Sequence, residues 1–152
     1  METISKKKKL IPFLIFIVFS LPALVLTNVR DRLGLNPYNF LSVQDLNILK
    51  IGGILFSLYA LIAPWFFERF FLPLFRKSSV RSRISPETKI LLMSYTMLYA
   101  PVISGELFYY LGLPIAQVNY FMVAGILGAL VWYMYTLRKN VSPRATTGNK
   151  TI

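Results

Sequence analysis

The sequence predicts an all-α, polytopic membrane protein: four transmembrane helices in two hairpins, with both termini in the cytoplasm. Three observations carry that expectation. Hydrophobic residues make up 55% of the 152-residue chain and charged residues only 15%, against about a quarter charged in a soluble domain. The apolar residues gather in long blocks instead of alternating at strand or helix period. Lysine and arginine, 17 against 6 acids, stand just outside those blocks, as the positive-inside rule asks of cytoplasmic ends.

Mean hydropathy is +0.56, and at this length a single membrane domain over residues 1–152 is expected. The chain has no cysteine and no histidine. Disulfides, thiolate or imidazole metal sites and Cys- or His-based catalysis are therefore excluded. Acids are few and scattered, and no phosphate-cradling glycine loop is present, so neither an enzyme nor a bound cofactor is expected. The net charge of +11 reads as basic loops held against anionic headgroups, not as a nucleic-acid surface.

Residues 1–9 form a basic tail ending in Lys6, Lys7, Lys8 and Lys9. Residues 10–27, LIPFLIFIVFSLPALVLT, are just long enough to span. No clean A-x-A site precedes Asn28, so this block is expected to remain as the first helix and not be removed as a signal. Pro12 is tolerated near a helix start, whereas Pro22 predicts a bend. Residues 28–47 make the one substantial outer loop, with an Asn36-Pro37 turn and a short interfacial helix expected around Phe40, Leu41 and Val43.

The second span covers residues 48–67. Gly53, Ser57, Ala60 and Pro64 share one face, where a neighbouring backbone can approach closely, and Pro64 predicts a kink. Glu68 and Arg69 mark the membrane exit, and residues 70–75 are expected at the interface. Residues 76–89 read as a solvated basic loop, closed by Ser85 as N-cap and Pro86 at the first helical position of the next helix. The third span, 90–111, is followed by an uncharged turn and the fourth span, 118–137. There Ala124 with Gly128 and Gly125 with Ala129 form two overlapping small-xxx-small pairs. Residues 138–152 are a polar, basic tail.

Counted along the chain, Lys and Arg number four in the first tail, five in 76–89 and four in the last tail, against three around the first outer loop. That asymmetry sets both termini inside. The sequons at Asn140 and Asn149 would then face the cytoplasm and be accidental.

The third span holds Glu106, the only acid well inside an apolar segment. Tyr95, Tyr99, Val102, Glu106, Tyr109 and Tyr110 fall within about a third of the helix circumference, and Pro101 predicts a kink. A carboxylate in hydrocarbon is expensive, which makes Glu106, with Tyr95, Tyr99 and Tyr110, the candidate intramembrane polar site. It lies roughly 8 Å from the outer end of its span, and Lys50 begins the second span on the same side as a possible partner. Ser57, Ser94 and Ser104 are expected to bond back to their own helices. A faint repeat pairs residues 54–66 with 91–103 at Leu, Ser, Leu, Ala and Pro, an arrangement known from transporters with inverted halves.

At Tyr99-Ala-Pro-Val-Ile-Ser-Gly105 the chain resembles small bacterial four-helix membrane proteins related to rotary-ATPase subunit c. In that family an acid precedes Ala-Pro-x-x-x-Gly in a membrane helix. The resemblance covers residues 91–115 and departs at the acid, which Tyr99 replaces. It implies a four-helix fold and an ion-carrying carboxylate, whose nearest counterpart here is Glu106.

The function expected from the sequence is that of a small integral protein of the bacterial inner membrane, an assembly or accessory subunit without enzymatic activity. Its expected partners are the lipid bilayer and either copies of itself or other membrane subunits. The alternative is an ion- or proton-translocating oligomer using Glu106.

Overall fold

The computed structural model describes residues 6–35, 41–78 and 84–139. Among these every regular element is helical: α1 (Lys6–Arg32), α2 (Val43–Phe66), a π-helical turn (Phe67–Phe71), α3 (Leu72–Ser78), α4 (Pro86–Tyr110) and α5 (Ile115–Arg138). Four helical stretches are long and apolar enough to cross a membrane: Lys9–Arg32, Gln44–Lys77, Pro86–Tyr110 and Ile115–Arg138. The Asn36-Pro37 turn, Phe40, Arg81, Arg83, residues 1–5 and both sequons lie outside the described residues.

The helices run past the expected spans, most of all in the second. Val43 and Asp45 are not a separate interfacial helix but the first turn of α2, capped by Ser42, whose hydroxyl accepts from the Asp45 N–H at 3.2 Å. At the other end the chain stays helical through Lys77, 34 residues in all from Gln44. That is about 51 Å at 1.5 Å per residue, well beyond the roughly 30 Å hydrocarbon thickness. Arg76 and Lys77 are thus helical, not part of a loop. α1 likewise begins at Lys6, so four lysines form its first turn.

Local chemistry accounts for the ends. Ser85 caps α4 by accepting from the Thr88 N–H at 3.2 Å, with Pro86 beginning the helix. α1 and α4 both end in Schellman turns. Gly34 adopts φ 69° and Gly112 φ 100°, a conformation that L side chains strain to reach. The Leu35 N–H closes on the Arg30 carbonyl, and the Leu113 N–H on that of Phe108, satisfying carbonyls that the helix leaves open. α4 remains helical through Pro101 and α2 through Pro64. Beyond Pro64 the bonding pattern loosens: the Phe67 N–H is shared by the Ala63 and Pro64 carbonyls, and the Leu72 N–H reaches back five residues to Phe67.

α4 and α5 form the centre of the bundle, and α1 and α2 each pack against both. The core comprises Leu98, Val102, Val118, Met122 and Ala129, all fully buried. Large apolar side chains cover the outside, among them Ile15, Phe19, Ile51, Leu55, Ile62 and Leu127. A surface so apolar is matched to lipid.

The two small-residue pairs of α5 serve two different neighbours. Gly125 and buried Ala129 face α4: a β-carbon on Gly125 would stand 2.9 Å from the Leu98 carbonyl oxygen and 3.0 Å from Val102 Cγ2. Gly128 lies against Leu61 of α2 and Leu98 of α4, so the matching leucines of the faint repeat meet at one glycine. On α2, Gly53, Ser57, Ala60 and Pro64 are all buried, with Gly53 accommodating the Phe108 ring.

A main-chain oxygen cannot rotate away as a side chain does, so Gly125→Ala must spread the α4–α5 contact. It is expected to lower unfolding stability by about 1–3 kcal/mol. Gly52→Ala, which faces open space, should change it by less than about 0.5 kcal/mol. Denaturant unfolding in detergent, followed by the fluorescence of buried Trp132, measures both.

Candidate functional site

The tyrosine face of α4 is divided among several neighbours and does not converge on Glu106. Tyr95 is buried, its ring tilted against Phe13 and Phe16 of α1 at 6.3 and 6.0 Å. Tyr99 meets Phe16 edge-on at 5.9 Å. Tyr110 is exposed, and the Arg30 guanidinium lies 5.4 Å from its ring centroid. Tyr109 is buried with its hydroxyl unbonded. Glu106 itself is half-buried one turn from the end of α4 and has no ion pair or hydrogen bond among the described residues. Lys50 does not reach it, because Lys50 is turned toward the side of α2 that meets α5.

The serine expectation also fails in part. Ser57 and Ser94 are buried, yet their hydroxyls find no acceptor. Thr27 and Thr96 do bond back to carbonyls four residues earlier, at 2.8 and 2.9 Å.

Polar organisation concentrates instead at the two ends of the bundle. The end where α1 begins and α5 finishes is here the basic end. There Lys9 is buried at 7% exposure, and its ammonium donates to the Thr136 carbonyl. Thr136 lies in the last turn of α5, where carbonyls lack helical donors and the helix dipole favours a cation. Glu68, held in the π turn, pairs with Lys139 and lies against Tyr135. Rings enclose this cluster: Trp65 edge-on to Trp132 at 5.2 Å, Trp132 stacked on Tyr135 at 5.3 Å, and Phe13 stacked on Tyr133 at 4.4 Å. Nearby, Arg76 of α3 bonds Glu87 of α4 at 3.0 Å, and the Lys89 ammonium sits 5.6 Å from the Phe75 ring centroid.

At the opposite, distal end α1 and α5 are joined by a reciprocal amide pair. Asn28 Nδ2 donates to Asn119 Oδ1 at 2.9 Å, and Asn119 Nδ2 donates to Asn28 Oδ1 at 3.0 Å. Asn28 also donates to the Leu24 carbonyl at 2.8 Å. Two carboxamides exchanging both bonds satisfy each other in surroundings that offer little water.

Sequence reasoning missed both ends. In the sequence Lys9 reads as the end of a basic tail, Glu68 as a mark of the membrane exit, Asn28 as the start of the outer loop and Asn119 as part of the fourth span. No signal for this pairing follows from two hairpins, which would set α1 beside α2; α1 packs on α4 and α5 instead, and that brings the two amides together. Among the described residues no group of three or more acids could hold a metal ion.

Comparison of the chain with protein-family models, with curated proteins and with solved structures finds no match. The reading of its function therefore rests on its own residues.

The amide pair makes a direct test of the α1–α5 contact. Asn28→Leu and Asn119→Leu should each destabilise the bundle by about 1 kcal/mol. The double variant should lose less than the sum of the two, since neither then strands an unpaired amide. A double-mutant cycle of unfolding in detergent measures the coupling.

Proposed function

We propose that this protein is a small, non-enzymatic integral subunit of a bacterial cytoplasmic membrane, with both termini inside, acting by assembly with other membrane components. The observation that carries this reading is the way the interior is filled. Leu98, Val102, Val118, Met122 and Trp132 close the centre of the bundle with almost no exposed surface. The charged groups and strong polar contacts lie toward its two ends, and the hydroxyls between them, on Ser57, Ser94 and Tyr95, are sealed and separate, so a single chain offers no aqueous path. Gly53, Gly125 and Gly128 of the small-residue faces are filled by contacts within the chain, which leaves association chiefly to the apolar perimeter and the basic end. The charge asymmetry supports the orientation: the basic end carries Lys9, Arg69, Arg76, Lys77, Lys89, Arg138 and Lys139 among its described residues, suited to anionic cytoplasmic headgroups.

A second reading keeps Glu106 as an ion- or proton-carrying group in an oligomer, with Tyr99 and Tyr110 on the same helix. It is favoured by one fact: Glu106 is a half-buried carboxylate with no bonded partner among the described residues, open to a group supplied by another subunit.

Two measurements check these readings. The native chain has no cysteine, so Leu35→Cys and Arg138→Cys each introduce a unique thiol at opposite ends. An impermeant maleimide should label the first in intact cells and the second only after permeabilisation; the reverse pattern overturns the orientation. The mass of the complex purified in nanodiscs, with its co-purifying proteins, then separates the functions. A stoichiometric foreign partner, kept by Glu106→Gln, supports the assembly role. A closed homo-oligomer whose ion flux is lost in Glu106→Gln supports translocation.

A further inference from the structure

Between α2 and α5 the perimeter opens into a groove of about 290 Å³. Lys50 of α2 and Gln117 and Tyr120 of α5 form its mouth at the distal end. Its walls are apolar, chiefly Leu58, Leu61 and Ala124, with Ser57 beside them. The gap exists because Ser57 and Ala124, small side chains on adjoining helices, leave space that their larger neighbours do not fill.

Four features define the occupant. Lys50 has no ion pair among the described residues, so a cation waits at the mouth with its counter-charge unsupplied. From Lys50 to Leu61 the helix rises about 16 Å, close to half the roughly 30 Å hydrocarbon thickness and so to one leaflet. The walls along that length are the apolar side chains of Ile54, Leu58, Leu61 and Phe121, which suit a hydrocarbon chain. Finally, Gln117 at the mouth adds a neutral amide donor for a phosphate oxygen.

We propose that this groove binds one acyl chain of an anionic phospholipid from the distal leaflet, with its phosphate on Lys50 and Gln117. The inference rests on the membrane-spanning reading above and adds to it a lipid class and a leaflet. It also differs from the general attraction of lipid to the basic end, because it needs a single cation and a chain-shaped slot.

The test uses the full chain in nanodiscs of equal phosphatidylglycerol and phosphatidylcholine, released into native mass spectrometry with retained lipids counted. The wild type is expected to retain one phosphatidylglycerol that Lys50→Gln weakens about five-fold. Leu58→Trp fills the slot from its lipid-facing rim and should remove that lipid while leaving the melting temperature in place. If that variant does not fold, Ile54→Phe on the same wall replaces it. Retention of phosphatidylglycerol at wild-type level in Lys50→Gln and the slot-filling variant overturns the proposal. So does equal retention of phosphatidylcholine, or a dimer that carries no lipid. Failure of the chain to enter the disc would overturn the membrane reading itself, and the two failures are distinguishable.

Discussion

At Gly125 the main chains of α4 and α5 come so close that the Leu98 carbonyl oxygen occupies space a β-carbon would need. The rest of the bundle is arranged around that approach. It draws Pro101, Val102 and Met122 into the centre and lets Ala129 continue the same contact one turn on. It also brings Leu98 to Gly128, where Leu61 of α2 arrives from the other side. In lipid no hydrophobic force drives one apolar helix onto another, so close packing of this kind is what holds the pair together. α1 and α2 then find two grooves beside α4 and α5, which they fill with aromatic rings and small residues respectively.

The same constraint explains where polar groups are allowed. The hydrocarbon core gives an unpaired donor or acceptor no water to turn to, and in this chain the strong polar contacts are pushed outward from the centre. The Asn28–Asn119 pair closes one end. At the other, Lys9, Thr136, Glu68 and Lys139 tie α1, the π turn and α5 together. The hydroxyls of Ser20, Ser57, Ser94, Tyr95 and Tyr109 are exceptions, buried without a bond, and read as packing.

The length of α2 has a function of its own. With the π turn and α3 it forms one continuous rod longer than the bilayer is thick, and the loosened bonding after Pro64 falls near where it should leave the hydrocarbon. That places Glu68 against α5 and carries Arg76 back to Glu87 at the start of α4. Arg76 and Glu87 thus tie α3 to the start of α4. A partner meeting the protein from this end would encounter a basic surface with Trp65 and Tyr135 at its edge.

The number of long apolar helices was legible in the residues alone, because hydropathy and block length are properties of each segment by itself. So were the Ser85 cap with Pro86 and the small-residue faces, which follow from local stereochemistry and helical spacing. The partners of those faces were not legible: Gly125 and Gly128 differ by less than one turn, yet they serve α4 and α2 respectively. Nor was the fate of Glu106 and its tyrosines. Periodicity places Tyr95, Tyr99 and Glu106 on one stripe, but only the position of α1 turns the two tyrosines toward Phe13 and Phe16 and leaves the carboxylate without them. Side chains on one helix share a face by sequence; what they meet depends on where three other helices stand, and those positions are set by packing between segments far apart in the chain.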